Sequence, residues 1–293
     1  MKILVTGAGG MLGSAVLPAL ERAGHVVGAI LHPQDAPDTP LAAAGASTRL
    51  DITDYPALLE AARTFRPDWV VHLAAWTDVD GCEGDPDRAF IVNGLGARNA
   101  ALAAAEAGAA VLAMSTDYVF DGSTPAPRRE HDPKGPLNVY GRSKLAGEHA
   151  VREVNARHVI VRTAWLYGAG GRNFVDTILS RARSGQPLRV VDDQRGSPTW
   201  TADLADAIVA LQARREFGTY HVTNTGEASW RDLAVAACEL AGVRAEVARM
   251  GSAELDRPAR RPAYSALHTG WYEHVTGRRM PHWRDALGRY LHG

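Results

Sequence analysis

The sequence predicts an α/β protein built on a doubly wound parallel sheet of the Rossmann type, with a smaller C-terminal substrate-binding part. Three observations predict it. Short apolar runs recur at Ile3-Leu4-Val5, Trp69-Val70-Val71-His72-Leu73 and Ala109 to Met114, as expected of strands buried on both faces. Helical patterns alternate with such runs from Met1 to about Arg162, the pattern of right-handed strand-helix-strand crossovers. The first run passes at once into Gly7-Ala8-Gly9-Gly10-Met11-Leu12-Gly13. There the glycines at 7, 10 and 13 punctuate a strand-turn-helix junction.

The bulk numbers are compatible with this fold and exclude several others. A chain of 293 residues forms one large domain or two closely joined ones. With 46% apolar and 22% charged residues it has an ordinary globular balance, and no apolar run approaches a membrane span. A formal net charge of −1 gives no electrostatic case for nucleic acid or an anionic membrane. Two cysteines, Cys82 and Cys238, make no disulfide framework and suit a reducing compartment. The start lacks a signal peptide's apolar stretch and cleavage site, so the expected location is the cytoplasm. The 11 histidines show no ligand-like spacing, and no metal is expected.

Each element follows in order. The glycine-rich turn allows close approach of backbone to a pyrophosphate, and the helix from Met11 to about Ala23 offers its N-terminus to the phosphates. Gly7, Gly10, Met11 and Leu12 are therefore candidate cofactor contacts. His25 to Leu31 is the second strand. Its end reads Ile30-Leu31-His32-Pro33, without the acid that would bind the ribose of NAD and without a convincing arginine for the 2′-phosphate of NADP. NADPH is then permitted and mildly preferred over NADH, and His32 is a surface loop residue. Pro33 to Gly45 reads as a loop with one helical turn at most. Ser47 to Leu50 is a short strand ending in Asp51-Ile52, where Asp51 either meets the adenine amino group or caps the next turn. Tyr55 to Phe65 is helical. The strand through Leu73 closes in Ala74-Ala75, small residues that let the backbone pass beside a cofactor. Trp76 to Asp87 is expected as a loop, and Pro86 to Ala107 as one long helix. The next strand ends in Ser115-Thr116-Asp117-Tyr118, at the strand ends where open sheets bind ligands. Thr116 there can donate a hydrogen bond to a carbonyl, or simply cap the backbone. Asp117, its neighbour at a strand end, is expected to point the opposite way.

The helix from Asn138 to about Val154 carries Tyr140 and Lys144. Four residues apart, they share one helix face. An ammonium beside a phenol stabilises the phenolate, which makes the phenol a better proton donor. Alone the spacing is weak. Convergence of Gly10, Thr116 and Tyr140 at one sheet edge makes it a catalytic hypothesis.

The stretches TGAGGMLG, STDYVFDG and NVYGRSK resemble an extended short-chain dehydrogenase/reductase. With VRTAWLYG, DDQRGSPTWTADLA and RPARRPAYSALHT in the same order, the whole chain resembles the dTDP-4-dehydrorhamnose reductase family. The resemblance implies hydride transfer from NADPH or NADH to the C4 ketone of a dTDP-linked 4-keto-6-deoxyhexose, giving dTDP-L-rhamnose. It implies that Tyr140 protonates the C4 oxygen, Lys144 holds the nicotinamide ribose and lowers the Tyr140 pKa, and Thr116 polarises the carbonyl. Asp51, Ile52, Leu73, Ala74 and Ala75 are implied cofactor contacts. Thr116, Asp117, Trp165, Asn173, Phe174, Arg195 and Arg260 are implied substrate contacts. Some family members hold intersubunit magnesium on glutamates where this chain has Ala15 and Ala202, so metal and that dimer mode are not implied. The chain is expected as a monomer or a homodimer.

Residues 1–165 are expected as the dinucleotide-binding domain and 166–293 as the mainly nucleotide-sugar-binding part. Segments around 200–225, with Gly218 to Val222 as a strand, are expected to return to the main sheet. Val159 to Arg162 is a sixth strand. Trp165 is either core or, by its place in the family pattern, a sugar-facing wall. Asn173-Phe174 opens a helix, and Gln194 to Thr199 is expected as a turn. Arg257, Arg260 and Arg261 are either a solvated charge run or, as the resemblance favours, guanidinium forks for a diphosphate. Ala228 to Ala241 and His282 to Leu291 are helical. Competing functions are a nucleotide-sugar epimerase or dehydratase, a reductase of another dTDP-4-keto sugar in antibiotic or polysaccharide synthesis, and a non-catalytic subunit resembling the regulatory subunit of methionine adenosyltransferase.

Overall fold

Strands without polar alternation need cover on both faces, and the chain supplies it with helices. The computed structural model describes residues 1–35 and 46–293. Its principal strands are β1 (Lys2–Thr6), β2 (Val26–Leu31), β3 (Ala46–Arg49), β4 (Trp69–His72), β5 (Ala110–Thr116) and β6 (His158–Thr163). Between them lie helices α1 (Met11–Arg22), α2 (Tyr55–Phe65), α3 (Val79–Gly84), α4 (Pro86–Ala89), α5 (Gly96–Glu106) and α6 (Val139–Val154). Beyond β6 follow β7 (Leu166–Tyr167), α7 (Phe174–Arg183), β8 (Leu188–Val191), β9 (Arg195–Gly196), β10 (Thr199–Trp200), α8 (Thr201–Arg214) and β11 (Gly218–His221). The chain ends with β12 (Ala228–Ser229), α9 (Trp230–Leu240), β13 (Val247–Met250), α10 (Gly270–Thr276) and α11 (Trp283–His292).

Seven strands form one parallel sheet in the order β11-β6-β5-β4-β1-β2-β3. The chain order reverses between β1 and β4, so the ends of β1, β4 and β5 frame the crevice where such sheets bind ligands. Alternate strand residues point to opposite faces. Ile3, Val5, Trp69 and Val71 pack with Val16, Leu20, Leu204 and Ile208 on one face. Leu4, Val70, Val111 and Ile160 pack with Leu58, Ala100 and Ala104 on the other. A separate core joins α7, α9 and α11 through Ile178, Leu179, Leu233, Ala237 and Leu287. The late strand β11 lies beside β6 in the main sheet, with Thr219 opposite Ile160.

Several local expectations need correction. The span from Trp76 to Asp87 is not all loop: Asp78 accepts from the Gly81 N–H at 3.0 Å and starts α3, and Asp85 accepts from the Arg88 N–H at 3.0 Å and starts α4. The helix from Pro86 is not regular to its end. A π turn spans Phe90–Leu95 before α5 begins. The span Gln194 to Thr199 is not a bare turn, since β9 pairs with β12 and β10 with β7. The loop expected from Pro33 to Gly45 lies largely outside the described residues.

Candidate active site

The glycine-rich turn fits a dinucleotide on structural grounds. Gly7 has φ of +70°, and a Cβ there would stand 2.6 Å from the Ala74 nitrogen. A Cβ on Gly13 would stand 2.4 Å from the Ala8 carbonyl oxygen, so α1 packs hard against the turn. Gly10, the N-cap of α1, gives no side-chain cap, which leaves first-turn N–H groups for an anionic ligand. Met11 and Leu12 open that helix, half-buried, while Leu73, Ala74 and Ala75 leave β4 against the same turn.

An acid is present at the end of β2 after all. It arrives four residues late, on the turn that follows the strand. The Asp35 Oδ2 accepts from the His32 N–H at 2.9 Å, and a Cβ on Gly9 would stand 2.6 Å from that oxygen. The Asp35 carboxylate therefore lies against the glycine-rich turn. Arg49 on β3 donates to the Asp35 carbonyl at 2.7 Å and to the His32 carbonyl at 3.3 Å. Exposed His32 faces Asp51 at 3.8 Å. Asp51 makes the capping bonds: Oδ1 accepts from the Thr53 N–H at 2.9 Å and the Thr53 hydroxyl at 2.8 Å. The Ile52 side chain is core, and a Cβ on Gly96 would meet its Cδ1 at 2.5 Å.

The Thr116 hydroxyl and the Tyr140 phenol meet where β5 ends and α6 begins, and buried Lys144 follows Tyr140 one turn along α6. Asn138 caps α6 by accepting from the Gly141 N–H at 2.7 Å, and its amide donates to the Arg260 carbonyl at 2.7 Å. The Val139 N–H donates to Glu83 at 2.7 Å, so α3 also fixes this helix start. Burial pushes the Tyr140 phenol up, against the pull of the Thr116 hydroxyl beside it. Burial also lowers the Lys144 ammonium to about 8, with the Glu148 charge working the other way. The expected depression of the Tyr140 pKa by Lys144 is thus corrected. Loss of water around the phenol of half-buried Tyr140 outweighs its neighbours, and Lys144 is balanced by Glu148 one turn on.

The expectation that Thr116 and Asp117 diverge is also corrected. The chain leaves the strand in a tight turn over Asp117–Val119, which brings the Asp117 Oδ1 to 3.0 Å from the Thr116 hydroxyl that donates to it. The same hydroxyl accepts from the Tyr118 N–H at 3.2 Å. Asp117 is 2% exposed, and burial raises its carboxyl to about 7 in spite of the nearby hydroxyls of Ser265 and Thr116.

Beneath this cluster lies a buried ion pair. Glu148 accepts from Arg162 Nε and an Arg162 Nη at 2.7 Å each, from the Ser115 hydroxyl at 2.6 Å and from Arg152 at 2.9 Å. Ser115 thus spends its hydroxyl on the helix. Arg162 also donates to the Glu130 carbonyl at 3.1 Å, tying in the loop before α6. On the far side of Lys144, the His72 Nδ1 meets the Thr6 hydroxyl at 2.8 Å, and burial then the Lys144 charge lower the ring to about 3. Asn93 in the π turn brackets Trp76, accepting from its N–H at 2.8 Å and donating to its carbonyl at 3.0 Å, and also donates to the Ser143 hydroxyl at 3.0 Å. A Cβ on Gly147 would stand 2.4 Å from the Asn93 carbonyl oxygen, so that glycine lets α6 approach the turn.

The expected substrate contacts fare unequally. Trp165 stacks on Trp230 with centroids 3.6 Å apart and planes at 4°, and it holds a positive φ of 48°. It is half-buried, neither plain core nor a free wall. Phe174 also packs against Trp230, tilted by 56° with centroids 4.8 Å apart. Asn173 is engaged structurally: it caps α7 from the Asp176 N–H at 3.0 Å and donates to the Gly168 carbonyl at 3.0 Å. Arg195 is half-exposed, 3.9 Å from Asp232 and bridged to Tyr264 by backbone. Of the late arginines, Arg261 is held by Asp80 through bonds of 2.7 and 3.0 Å, whereas Arg257 and Arg260 are exposed. Asp35, Asn93, Glu148 and Arg162 were missed as site supports. A glycine one turn past Lys144, at 147, and the lone arginine in the apolar strand β6 are the signals that could have pointed to α6 and its ion pair.

The RmlD substrate binding domain family matches residues 1–293. The chain is 46% identical to a dTDP-4-dehydrorhamnose reductase of Streptomyces griseus over 97% of this chain and 91% of that one. It is 41% identical to the spore coat polysaccharide biosynthesis protein SpsK of Bacillus subtilis over 99% and 96% of the two chains. The structure of dTDP-4-dehydrorhamnose reductase from Bacillus anthracis in complex with NADP superposes with a TM-score of 0.89, at 35% identity over 99% of this chain and 98% of that one.

Proposed function

The chain belongs to the RmlD substrate binding domain family, and on that premise we propose that it reduces the C4 ketone of dTDP-4-dehydro-6-deoxy-L-mannose to give dTDP-L-rhamnose, with NADPH or NADH as cofactor. The observation that supports this reading is the Thr116 hydroxyl beside the Tyr140 phenol at the strand ends, with Lys144 one turn along α6 and a glycine-rich turn that leaves the N-terminus of α1 without a side-chain cap. When bound, the reduced nicotinamide supplies the hydride. Gly7, Gly10 and the first turn of α1 hold the diphosphate of the cofactor, and Lys144 holds the nicotinamide ribose hydroxyls. Thr116 orients the ketone oxygen, and Tyr140 gives that oxygen its proton as negative charge develops on it. A phenol kept neutral by burial stays loaded with its proton until that charge appears. Arg195 and exposed Arg257 and Arg260 supply cations on the side of the site where a nucleotide diphosphate would be held. The stacked, half-buried pair of Trp165 and Trp230 would offer the nucleotide sugar an aromatic edge.

The likeness to SpsK favours a second reading, reduction of a different dTDP-4-keto sugar for a surface polysaccharide. Both readings share the reaction and differ in the pocket. The test is loss of reduced-nicotinamide absorbance when protein, NADPH or NADH, and the keto sugar generated in place are combined. Stoichiometric loss with formation of dTDP-L-rhamnose supports the first reading. Turnover only with another dTDP-4-keto sugar supports the second, and no turnover with any of them refutes both.

A further inference from the structure

Asp117 is a buried acid that the hydride and proton steps do not require, yet it touches the groups that perform them. Its Oδ1 takes the hydrogen of the Thr116 hydroxyl at 3.0 Å, while its buried Oδ2 receives no hydrogen bond of ordinary geometry, the Ser265 hydroxyl lying beside the carboxyl and easing its charge only in part. A carboxylate with an oxygen short of donors in a dry site is costly, and protonation replaces that buried charge with a neutral carboxyl, whose burial costs less. Its charge is also felt by Tyr140 and Tyr118, both of which it pushes up. The groups facing it are Thr116 from β5, Tyr118 from the turn, Tyr140 from α6 and Ser265 from the segment before α10. Arg261 and Arg257 lie further off beside Tyr118, and Arg261 is already committed to Asp80.

Resting on the reductase reading above, we propose that Asp117 is a positioning residue that switches the site by its own protonation. As a carboxylate it holds the Thr116 hydroxyl hydrogen and opposes phenolate at Tyr140. As a neutral acid it releases Thr116 to face a ketone oxygen and removes that opposition. Both effects have the same sign. A hydrogen bond to a carboxylate is roughly twice as strong as one to a neutral carbonyl, so ionisation keeps Thr116 from the substrate. A negative charge beside Tyr140 disfavours the phenolate left after proton donation. Burial raises the carboxyl to about 7, so the switch falls in the working range, with the active form on the acid side.

Two measurements on the intact chain test this. The first follows the carboxyl carbon of Asp117 by nuclear magnetic resonance in protein labelled at aspartate, with Asp117→Asn identifying the signal. Titration near neutrality is expected; ionisation at the ordinary aspartate value, near ~4, would overturn the proposal whatever the activity. The second compares turnover against pH for wild type and Asp117→Asn, with reduced cofactor fluorescence reporting that the variant folds and binds. Wild type should lose about tenfold per pH unit above the carboxyl midpoint, and the variant should lack that limb. The same limb in Asp117→Asn would overturn the switch. No wild-type turnover on any dTDP-4-keto sugar would overturn the reductase reading instead, since the carboxyl titration is read without substrate.

Discussion

Replacing Glu148 by Gln tests the physical basis of the site most directly. The carboxylate is 3% exposed and its main partner Arg162 is 0% exposed. Glutamine keeps the shape and the Ser115 bond but leaves the Arg162 guanidinium without a counter-charge. Breaking a buried pair from one side costs about 3–5 kcal/mol. A second route gives a similar size. Burial alone would raise the Glu148 carboxyl, but the hydrogen bonds and charge of Arg162, with Ser115 and Arg152, bring it down to about 2 from 4.5. At ~1.4 kcal/mol per unit that depression is worth about 3 kcal/mol. Because the folded value is the lower one, this stability is complete above pH ~4.5 and is lost as pH falls towards ~2. Thermal unfolding followed by circular dichroism at pH 7 should fall by roughly 6 to 20 °C in Glu148→Gln. The gap between wild type and variant should close below pH ~4.5. Adding Arg162→Met should recover much of the loss, since a buried pair replaced by apolar groups is often neutral. A loss under about 1 kcal/mol, or a gap unchanged down to pH ~3, would refute the view that this pair braces α6.

Three further outcomes are expected. Tyr140→Phe should cut turnover by about 10²–10⁴-fold with cofactor binding nearly intact, as read by reduced-cofactor fluorescence; wild-type turnover would remove it as the proton donor. Lys144→Ala should weaken both cofactor binding and turnover, and a change in melting temperature alone would make the lysine structural. Asp35→Asn should raise kcat/KM for NADPH relative to NADH by roughly tenfold, since it removes one like charge near a 2′-phosphate at a cost of ~1–4 kcal/mol. An unchanged ratio would place the Asp35 carboxylate away from the ribose.

The alternating core was legible because it depends on local pattern. Ile3-Leu4-Val5 and Val70-Val71 are apolar on every position, and both faces of the sheet are in fact covered. The placing of Tyr140 and Lys144 one turn apart on α6 was legible because helical spacing is rigid, and Asn138 marks the helix start. What escaped depends on how the chain folds back. Asp35 sits on a turn beyond β2, and only the fold brings its carboxylate back against Gly9 in the glycine-rich turn. Asp117 was misread because strand alternation was carried one residue past the strand, into a turn that brings its carboxyl back to Thr116. The sign of the Tyr140 shift was misread because spacing gives a neighbour's charge but not the degree of enclosure, and enclosure is the larger cause.

Tyr140, Lys144 and Glu148 are spaced by one helical turn each along α6, and that spacing assigns them unequal environments. Tyr140 opens towards Thr116 and Asp117, whereas Glu148 is sealed beneath Ser115 and Arg162. Lys144 stands between them, with burial lowering its pKa to about 8 and the Glu148 charge resisting that fall. Any change that frees Glu148 from Arg162 therefore reaches the reaction by two paths. Through α6 it alters the charge felt by Lys144, and through the Ser115 hydroxyl it loosens the residue next to Thr116. An electrostatic path would move the pH profile of cofactor binding if Lys144 holds the cofactor as proposed. A mechanical path would lower turnover at all pH values without moving the profile. Glu148→Gln removes the charge and keeps the Ser115 bond, while Ser115→Ala does the reverse, so the two variants separate the paths. The bracing view requires Ser115→Ala to lower turnover with the cofactor-binding profile unmoved; a shifted profile in that variant would show that the hydroxyl acts through Glu148's charge instead.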